Sequence, residues 1–250
     1  MGKYSGILLC SDFDGTLFNG EYIPEENMKA IKHFRENGGL FTLASGRNQQ
    51  FLRPLFEGYS FGVPLINLNG AVIYDFDNDK IITERFMKGV TEELLYRILD
   101  EVEGVCRFSF FQKSGGIREE KRRGDKIDPA RLIDLYKFAV NIEGNSEDYI
   151  RGRDEIAKIM KNHCIVRSYE DYSEVLEPES TKAPNTRALA RLVGADTLVC
   201  VGDYENDIEM IKEADIGYAV GNAIDEVKAV ADRITVSVND AAIARIIEEL

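Results

Sequence analysis

Two aspartates spaced one residue apart, Asp12 and Asp14, follow the apolar run Gly6-Ile7-Leu8-Leu9-Cys10 and precede Gly15. An unbroken apolar run of this length predicts a strand buried on both faces. On extended backbone alternate side chains share a side, so the two carboxylates point one way and Phe13 the other. Gly15 then permits a sharp turn that a Cβ would hinder. Carboxylates this close repel, and a hard divalent cation with oxygen ligands, magnesium or calcium, is the simplest compensation. A lone Asp-x-Asp after a strand is more often solvated surface. Its meaning depends on what the rest of the chain brings beside it.

Two further apolar runs end in the same fashion. Leu40-Phe41-Thr42-Leu43-Ala44 leads into Ser45-Gly46-Arg47, and Leu198-Val199-Cys200-Val201 leads into Gly202-Asp203-Tyr204-Glu205-Asn206-Asp207. In an open α/β sheet all three loops fall on the carboxyl edge, where ligands bind. There Asp12 can serve as a nucleophile toward phosphorus, because carboxylates form acyl phosphates. Asp14 is placed to protonate a leaving oxygen and later to deprotonate water. Asp203 completes a magnesium site with Asp12. Ser45 and Lys182 supply donors where transition-state charge gathers on phosphoryl oxygens, and Arg47 offers a fork suited to phosphate or carboxylate.

The elements that must hold these groups alternate as strand and helix. Pro24-Glu25-Glu26 opens a helix with Met28, Ile31 and Phe34 inward, and Gly38-Gly39 stops it. Pro64 to Tyr74 reads as a strand, a glycine-containing turn and a return strand. A helix over 185–192 with Leu189 and Leu192 inward, the strand ending at Val201 and a terminal helix over 241–250 complete the pattern. The reading is a doubly wound, mainly parallel Rossmann-like α/β core built from residues 1–83 and 181–250. Between them lies a segment too long for a loop in one domain. It mixes a helix over 91–103 with strand-like runs at 105–111 and 165–169, and predicts an inserted α+β domain over 84–180. Its basic cluster, Arg118 to Arg123, reads as a solvated hairpin tip.

Composition excludes several functions. With 31 basic and 44 acidic residues in 250, the formal charge of -13 gives no field to attract nucleic acid or an anionic membrane. No apolar run approaches the ~20 residues of a membrane helix, and a cytoplasmic location is expected. The four cysteines, Cys10, Cys106, Cys164 and Cys200, are widely spaced within or beside apolar runs and read as small buried hydrophobes. Neither His33 nor His163 has a partner at ligand spacing.

Asp12-Phe13-Asp14-Gly15-Thr16-Leu17, Ser45-Gly46-Arg47, Lys182 and Gly202-Asp203-Tyr204-Glu205-Asn206-Asp207, in this order, resemble the four motifs of the haloacid dehalogenase-like superfamily. The run Gly217-Tyr218-Ala219-Val220-Gly221-Asn222-Ala223 resembles the Cof-type hydrolases, and the insertion matches their class IIB cap in position. The resemblance implies a magnesium-dependent phosphatase of small phosphorylated metabolites such as sugar phosphates. It implies Asp12 as nucleophile, Asp14 as general acid and base, and Ser45, Gly46, Lys182 and Asn206 around the substrate phosphate. Magnesium would lie on Asp12, the Asp14 main-chain carbonyl and Asp203, with Asp207 and Arg47 behind them. The inserted domain would choose the substrate. A phosphomutase acting on hexose phosphates and a catalytically silent binding protein are the alternatives. One departure from the family pattern is Ala183-Pro184 after the lysine, where a glycine is usual; Pro184 suits a helix start.

Overall fold

The apolar run beginning at Gly6 becomes a central strand with four of its five residues buried. In this computed structural model, which describes residues 2–169 and 172–250, the chain divides into two units, Met1–Thr83 with Lys182–Leu250, and Glu84–Thr181. The first part of unit one contributes β1 (Ile7–Ser11), α1 (Glu25–Glu36), β2 (Leu40–Leu43), α2 (Gln49–Leu55), β3 (Leu65–Asn67), β4 (Val72–Asp75) and β5 (Lys80–Glu84). Unit two contains α3 (Glu92–Glu101), β6 (Val105–Gln112), β7 (Gly115–Glu120), β8 (Leu135–Ile142), α4 (Ser146–Ile159), β9 (Cys164–Tyr169) and β10 (Tyr172–Leu176). The return segment adds α5 (Lys182–Val193), β11 (Thr197–Gly202), α6 (Ile208–Glu213), β12 (Ile216–Ala219), α7 (Asp225–Val230), β13 (Arg233–Ile234) and α8 (Ala242–Glu249).

Unit one is organised by a parallel sheet in the order β13-β12-β11-β1-β2. The chain leaves β1 toward β2 on one side and later returns as β11 on the other. The loops after β1 and β11 therefore diverge from adjacent strand ends, which is the switch point where such sheets bind ligands. Register fixes the meeting: Ser11 pairs with Val201, so the next residues, Asp12 and then Asp203 beyond Gly202, emerge side by side. Leu43 pairs with Ser11 and brings Ser45 to the same edge. A small antiparallel sheet, β3-β4-β5, is joined to this edge through the Ala44–Ile66 bridge.

Unit two is an antiparallel sheet, β7-β6-β8-β10-β9, with α3 and α4 against one face. Both helices are capped from the sequence: Thr91 accepts from Leu94 N–H, and Asn145 with Asp148 forms a reciprocal capping box. Phe108, Phe110 and Phe138 are fully buried with ring centroids 5.7–6.4 Å apart. Phe111, one residue on, faces the other way, as strand alternation requires.

Several sequence expectations need correction. Leu192 is 64% exposed, because α5 begins at Lys182 and turns Ala183, Thr186, Leu189 and Ala190 inward. In α1 the buried positions are Asn27, Ile31 and Phe34; Met28 is half-buried, and Asn27 Oδ1 accepts from Ala244 N–H. Cys10 and Cys200 are buried opposite one another in register, but Cys106 and Cys164 are only partly covered. The basic cluster at 118–123 is split between β7 and the following turn. There Lys121 pairs with Glu119, Arg122 with Glu143 and Arg123 with Asp100. Among the described residues no helix is long and apolar enough to cross a membrane.

Truncating Phe138 would open a void among three rings that have no room to collapse. Phe138→Ala is expected to destabilise unit two by about 3–5 kcal/mol, read as a lowered urea midpoint for the antiparallel sheet. A loss below about 1 kcal/mol would contradict the packing described.

Candidate active site

Lys182 is the junction of the site. It opens α5 with its side chain buried, and its Nζ lies 2.5 Å from Asp12 Oδ1 and 2.6 Å from Asp207 Oδ1. Pro184, the third residue of that helix, sits where a backbone N–H would have no intrahelical partner. Asp207 is also fully buried, and its second oxygen accepts the N–H groups of Asp203 (3.1 Å) and Tyr204 (3.3 Å). One carboxylate thus shapes the loop after β11 and aims the lysine at Asp12.

Asp203 points into the same space. One oxygen from each of Asp12, Asp203 and Asp207 lies within 4.8 Å of the others, making the group that could hold a metal ion. Two glycines make this approach possible. A Cβ on Gly15, whose φ is +81°, would stand 2.3 Å from Asp203 Oδ2, and one on Gly202 would stand 2.4 Å from Asp207 Cγ. Thr16 Oγ1 donates to Asp203 Oδ1 at 3.1 Å. Asn222 Nδ2 donates to the Gly15 carbonyl at 2.8 Å, while its Oδ1 accepts from Val238 N–H. The turn after Asp14 is therefore tied to two distant loops.

Electrostatics follow from this crowding. Three carboxylates against one ammonium leave two negative charges uncompensated when all are ionised. Burial pushes the Asp12 carboxyl well above the usual carboxylate range; Lys182 opposes the rise, and Asp207 and Asp203 add to it. Burial first, then the Asp207 charge, raises Asp203 to about 7. For Lys182 burial acts to lower the pKa, but the Asp12 and Asp207 charges outweigh it and keep the ammonium protonated. An all-oxygen donor set carrying two excess negative charges fits a hard dication such as magnesium. The third carboxylate of the group is that of Asp207; the Asp14 side chain lies elsewhere.

Asp14 is held by Arg47, whose Nε and Nη2 donate to its two oxygens at 2.8 and 3.0 Å. The pair is partly exposed, and the guanidinium lies 4.2 Å from the centroid of the Phe51 ring. Phe51 belongs to α2, which Asn48 caps by accepting the Phe51 N–H. Ser45 is buried, and its hydroxyl oxygen accepts the Arg47 N–H at 3.0 Å. That contact leaves the hydroxyl proton to donate elsewhere. Gly46 lies between them in the same loop and brings only backbone groups.

Asn206 sends its amide to Asn69 Oδ1 at 3.2 Å. Asn69 is itself buried with φ +60°, and its N–H donates to the Ser45 carbonyl at 2.9 Å. Asn69 thus links the Ser45 loop to the Asp203–Asp207 loop, a role the sequence reading did not assign. Thr16 and Asn222 lie within the motifs, where spacing assigns them no task. Their partners stand 187 and 207 residues away in the chain, and no local pattern signals such pairings.

A family model described as haloacid dehalogenase-like hydrolase matches residues 9–247. The 5-amino-6-(5-phospho-D-ribitylamino)uracil phosphatase YcsE of Bacillus subtilis is 28% identical over 234 residues, covering 91% of this chain and 89% of its own. The HMP-PP phosphatase of Klebsiella pneumoniae is 24% identical over 237 residues, covering 89% of this chain and 86% of its own. Among solved structures, a haloacid dehalogenase-like hydrolase from Bacteroides thetaiotaomicron superposes with a TM-score of 0.76 at 24% identity, covering 99% of both chains.

The raised carboxyl of Asp203 generates a prediction about pH. Its native pKa exceeds its unfolded value, so between about 4 and 7 the native state binds the extra proton, and metal-free stability falls as pH rises through that window. A dication competes for the ionised form, so its binding strengthens over the same window. Added magnesium is expected to raise the melting temperature more at about pH 8 than at about pH 6. Equal shifts at both would count against the cluster as a cation site.

Proposed function

We infer that the chain, which belongs to the haloacid dehalogenase-like hydrolases, is a phosphatase. From that premise we propose that it hydrolyses small phosphorylated metabolites with magnesium, through a phosphoryl group carried transiently on Asp12. The observation that most supports this reading is the buried Lys182 bridging Asp12 and Asp207, with Asp203 in the same 4.8 Å group at the sheet's switch point. The Bacillus relative is a phosphatase by name, and its named substrate is a phosphorylated ribityl compound. Both suit a small metabolite ester here.

In this account the Asp12 oxygen that Lys182 does not hold attacks phosphorus while the ester P–O bond breaks. Once the ester has drawn Arg47 away, Asp14 takes up a proton from solvent and gives it to the departing oxygen, leaving the phosphoryl group on Asp12. Water then attacks the same phosphorus, Asp14 takes back a proton, and the Asp12–phosphorus bond breaks to release inorganic phosphate. Lys182 fixes the direction of Asp12 and offers its ammonium to phosphoryl oxygens, as does the Ser45 hydroxyl. Magnesium, held by Asp12, Asp203 and the Asp14 main-chain carbonyl, would offset negative charge on the nucleophile and on the phosphoryl oxygens.

Arg47 has a distinct part. Its fork keeps the Asp14 carboxylate in place when no substrate is present, and a phosphate ester entering the site would compete for the same guanidinium. Asp207 acts through Lys182 and the loop it shapes. Selection of the organic part of the substrate we assign to unit two.

The test is phosphate release from p-nitrophenyl phosphate in magnesium. Asp12→Asn is expected to lower the rate by roughly three orders of magnitude or more while the protein stays folded. Chelation of the metal should abolish turnover by the intact protein. Release that survives Asp12→Asn would refute the assignment of the nucleophile.

A further inference from the structure

The loop over 220–224, between β12 and α7, carries none of the carboxylates of the cation group yet bonds to both loops that do. Asn222 Nδ2 donates to the Gly15 carbonyl at 2.8 Å. The Ile224 N–H donates to the Asp203 carbonyl at 3.0 Å, and the Val220 N–H to the Gly202 carbonyl at 3.2 Å. The loop is itself moored to the segment 236–238. There the Gly221 N–H donates to the Val236 carbonyl at 3.0 Å, and Asn222 Oδ1 accepts from the Val238 N–H at 2.8 Å and the Ser237 hydroxyl at 3.3 Å.

The bond to Gly15 asks two opposite things of one side chain. A backbone N–H stands on one side of residue 222 and a backbone carbonyl on the other, so the group between them must accept from the first and donate to the second. An amide does both, whereas a carboxylate of the same size only accepts. The Asn222 side chain is exposed, so packing in the core does not account for it. What it grips is a weak point of the site. Gly15 has φ +81°, in backbone that a glycine leaves free to move. The Gly15–Thr16 peptide follows the Asp14 carbonyl directly and leads into Thr16, whose hydroxyl donates to Asp203 Oδ1 at 3.1 Å. Fixing that one peptide therefore fixes how far the Asp14 main chain stands from Asp203.

We propose that Asn222 is a positioning residue for the cation: through the Gly15 peptide it holds the turn after Asp14 at the separation from Asp203 that a dication requires, and so sets the affinity for magnesium. Groups that orient metal ligands without binding the metal act in this way. The proposal rests on the reading above in one respect, that magnesium lies between Asp12, Asp203 and the Asp14 main-chain carbonyl.

The test measures binding apart from turnover. Magnesium alone is titrated calorimetrically into the metal-free full chain, with no substrate present. Asn222→Ala and Asn222→Leu, the second keeping the bulk of the side chain, should each weaken binding roughly tenfold. Asn239→Ala removes the neighbouring tie from Asn19 Nδ2 to Asn239 Oδ1, 2.9 Å long, and leaves Gly15 alone; it should change the affinity by less than about twofold. Unchanged affinity in both Asn222 variants overturns the proposal, even where their melting temperature falls, because the contact would then only stitch loops together. An equal loss in Asn239→Ala overturns it as well, since general slackening of the loops would explain the effect. Failure of the phosphatase reading would look different: the parent would bind magnesium and the Asn222 variants would bind it more weakly, yet the parent would release no phosphate from p-nitrophenyl phosphate.

Discussion

A lysine ammonium locked between two buried aspartates is the constraint from which the rest of unit one follows. Removing the Lys182 ammonium would leave the buried Asp12 and Asp207 carboxylates uncompensated, at a cost of about 3–5 kcal/mol. Lys182, Asp12 and Asp207 therefore have to be placed together or not at all. They come from three separate loops or helix ends, and the parallel register of β1 with β11, with α5 leading into β11, brings them to one point. The glycines at 15 and 202 are the local consequence, because side chains there would occupy the space of Asp203 and Asp207.

The same crowding links stability to chemistry. A fold that gathers Asp12, Asp203 and Asp207 around a single ammonium keeps negative charge in excess and holds the Asp12 and Asp203 carboxyls above their usual range. Such a site is improved by any dication and by any ligand that places positive charge or donors there. The chain as a whole is strongly acidic. Attraction of a phosphate ester must therefore come from the local set of Lys182, Arg47 and a bound cation, with no help from the long-range field.

Much of this was legible in the sequence for a physical reason. Strands buried on both faces leave unbroken apolar runs, and the polar residues after Cys10, Ala44 and Val201 were bound to fall on one edge once the sheet was parallel. The pairings among them were not legible. That Arg47 forks to Asp14, that Asn69 joins Asn206 and that Asn222 grips the Gly15 carbonyl depend on distances between loops, which spacing along a chain does not encode. Unit two was read less well. Its central strand β8 carries Lys137 and Asn141 inside an otherwise apolar stretch, and those polar residues hid a fully buried strand. Leu192 misled in the opposite sense, an apolar residue lying outside the inward stripe of α5.

The central claim is that the phosphoryl group passes through Asp12. It is tested most directly by quenching the protein during turnover with borohydride, which reduces an aspartyl phosphate to homoserine, and locating the change by mass spectrometry. The account predicts homoserine at position 12 and nowhere else. Reduction at Asp14, Asp203 or Asp207, or continued phosphate release with no aspartate ever reduced, would contradict it.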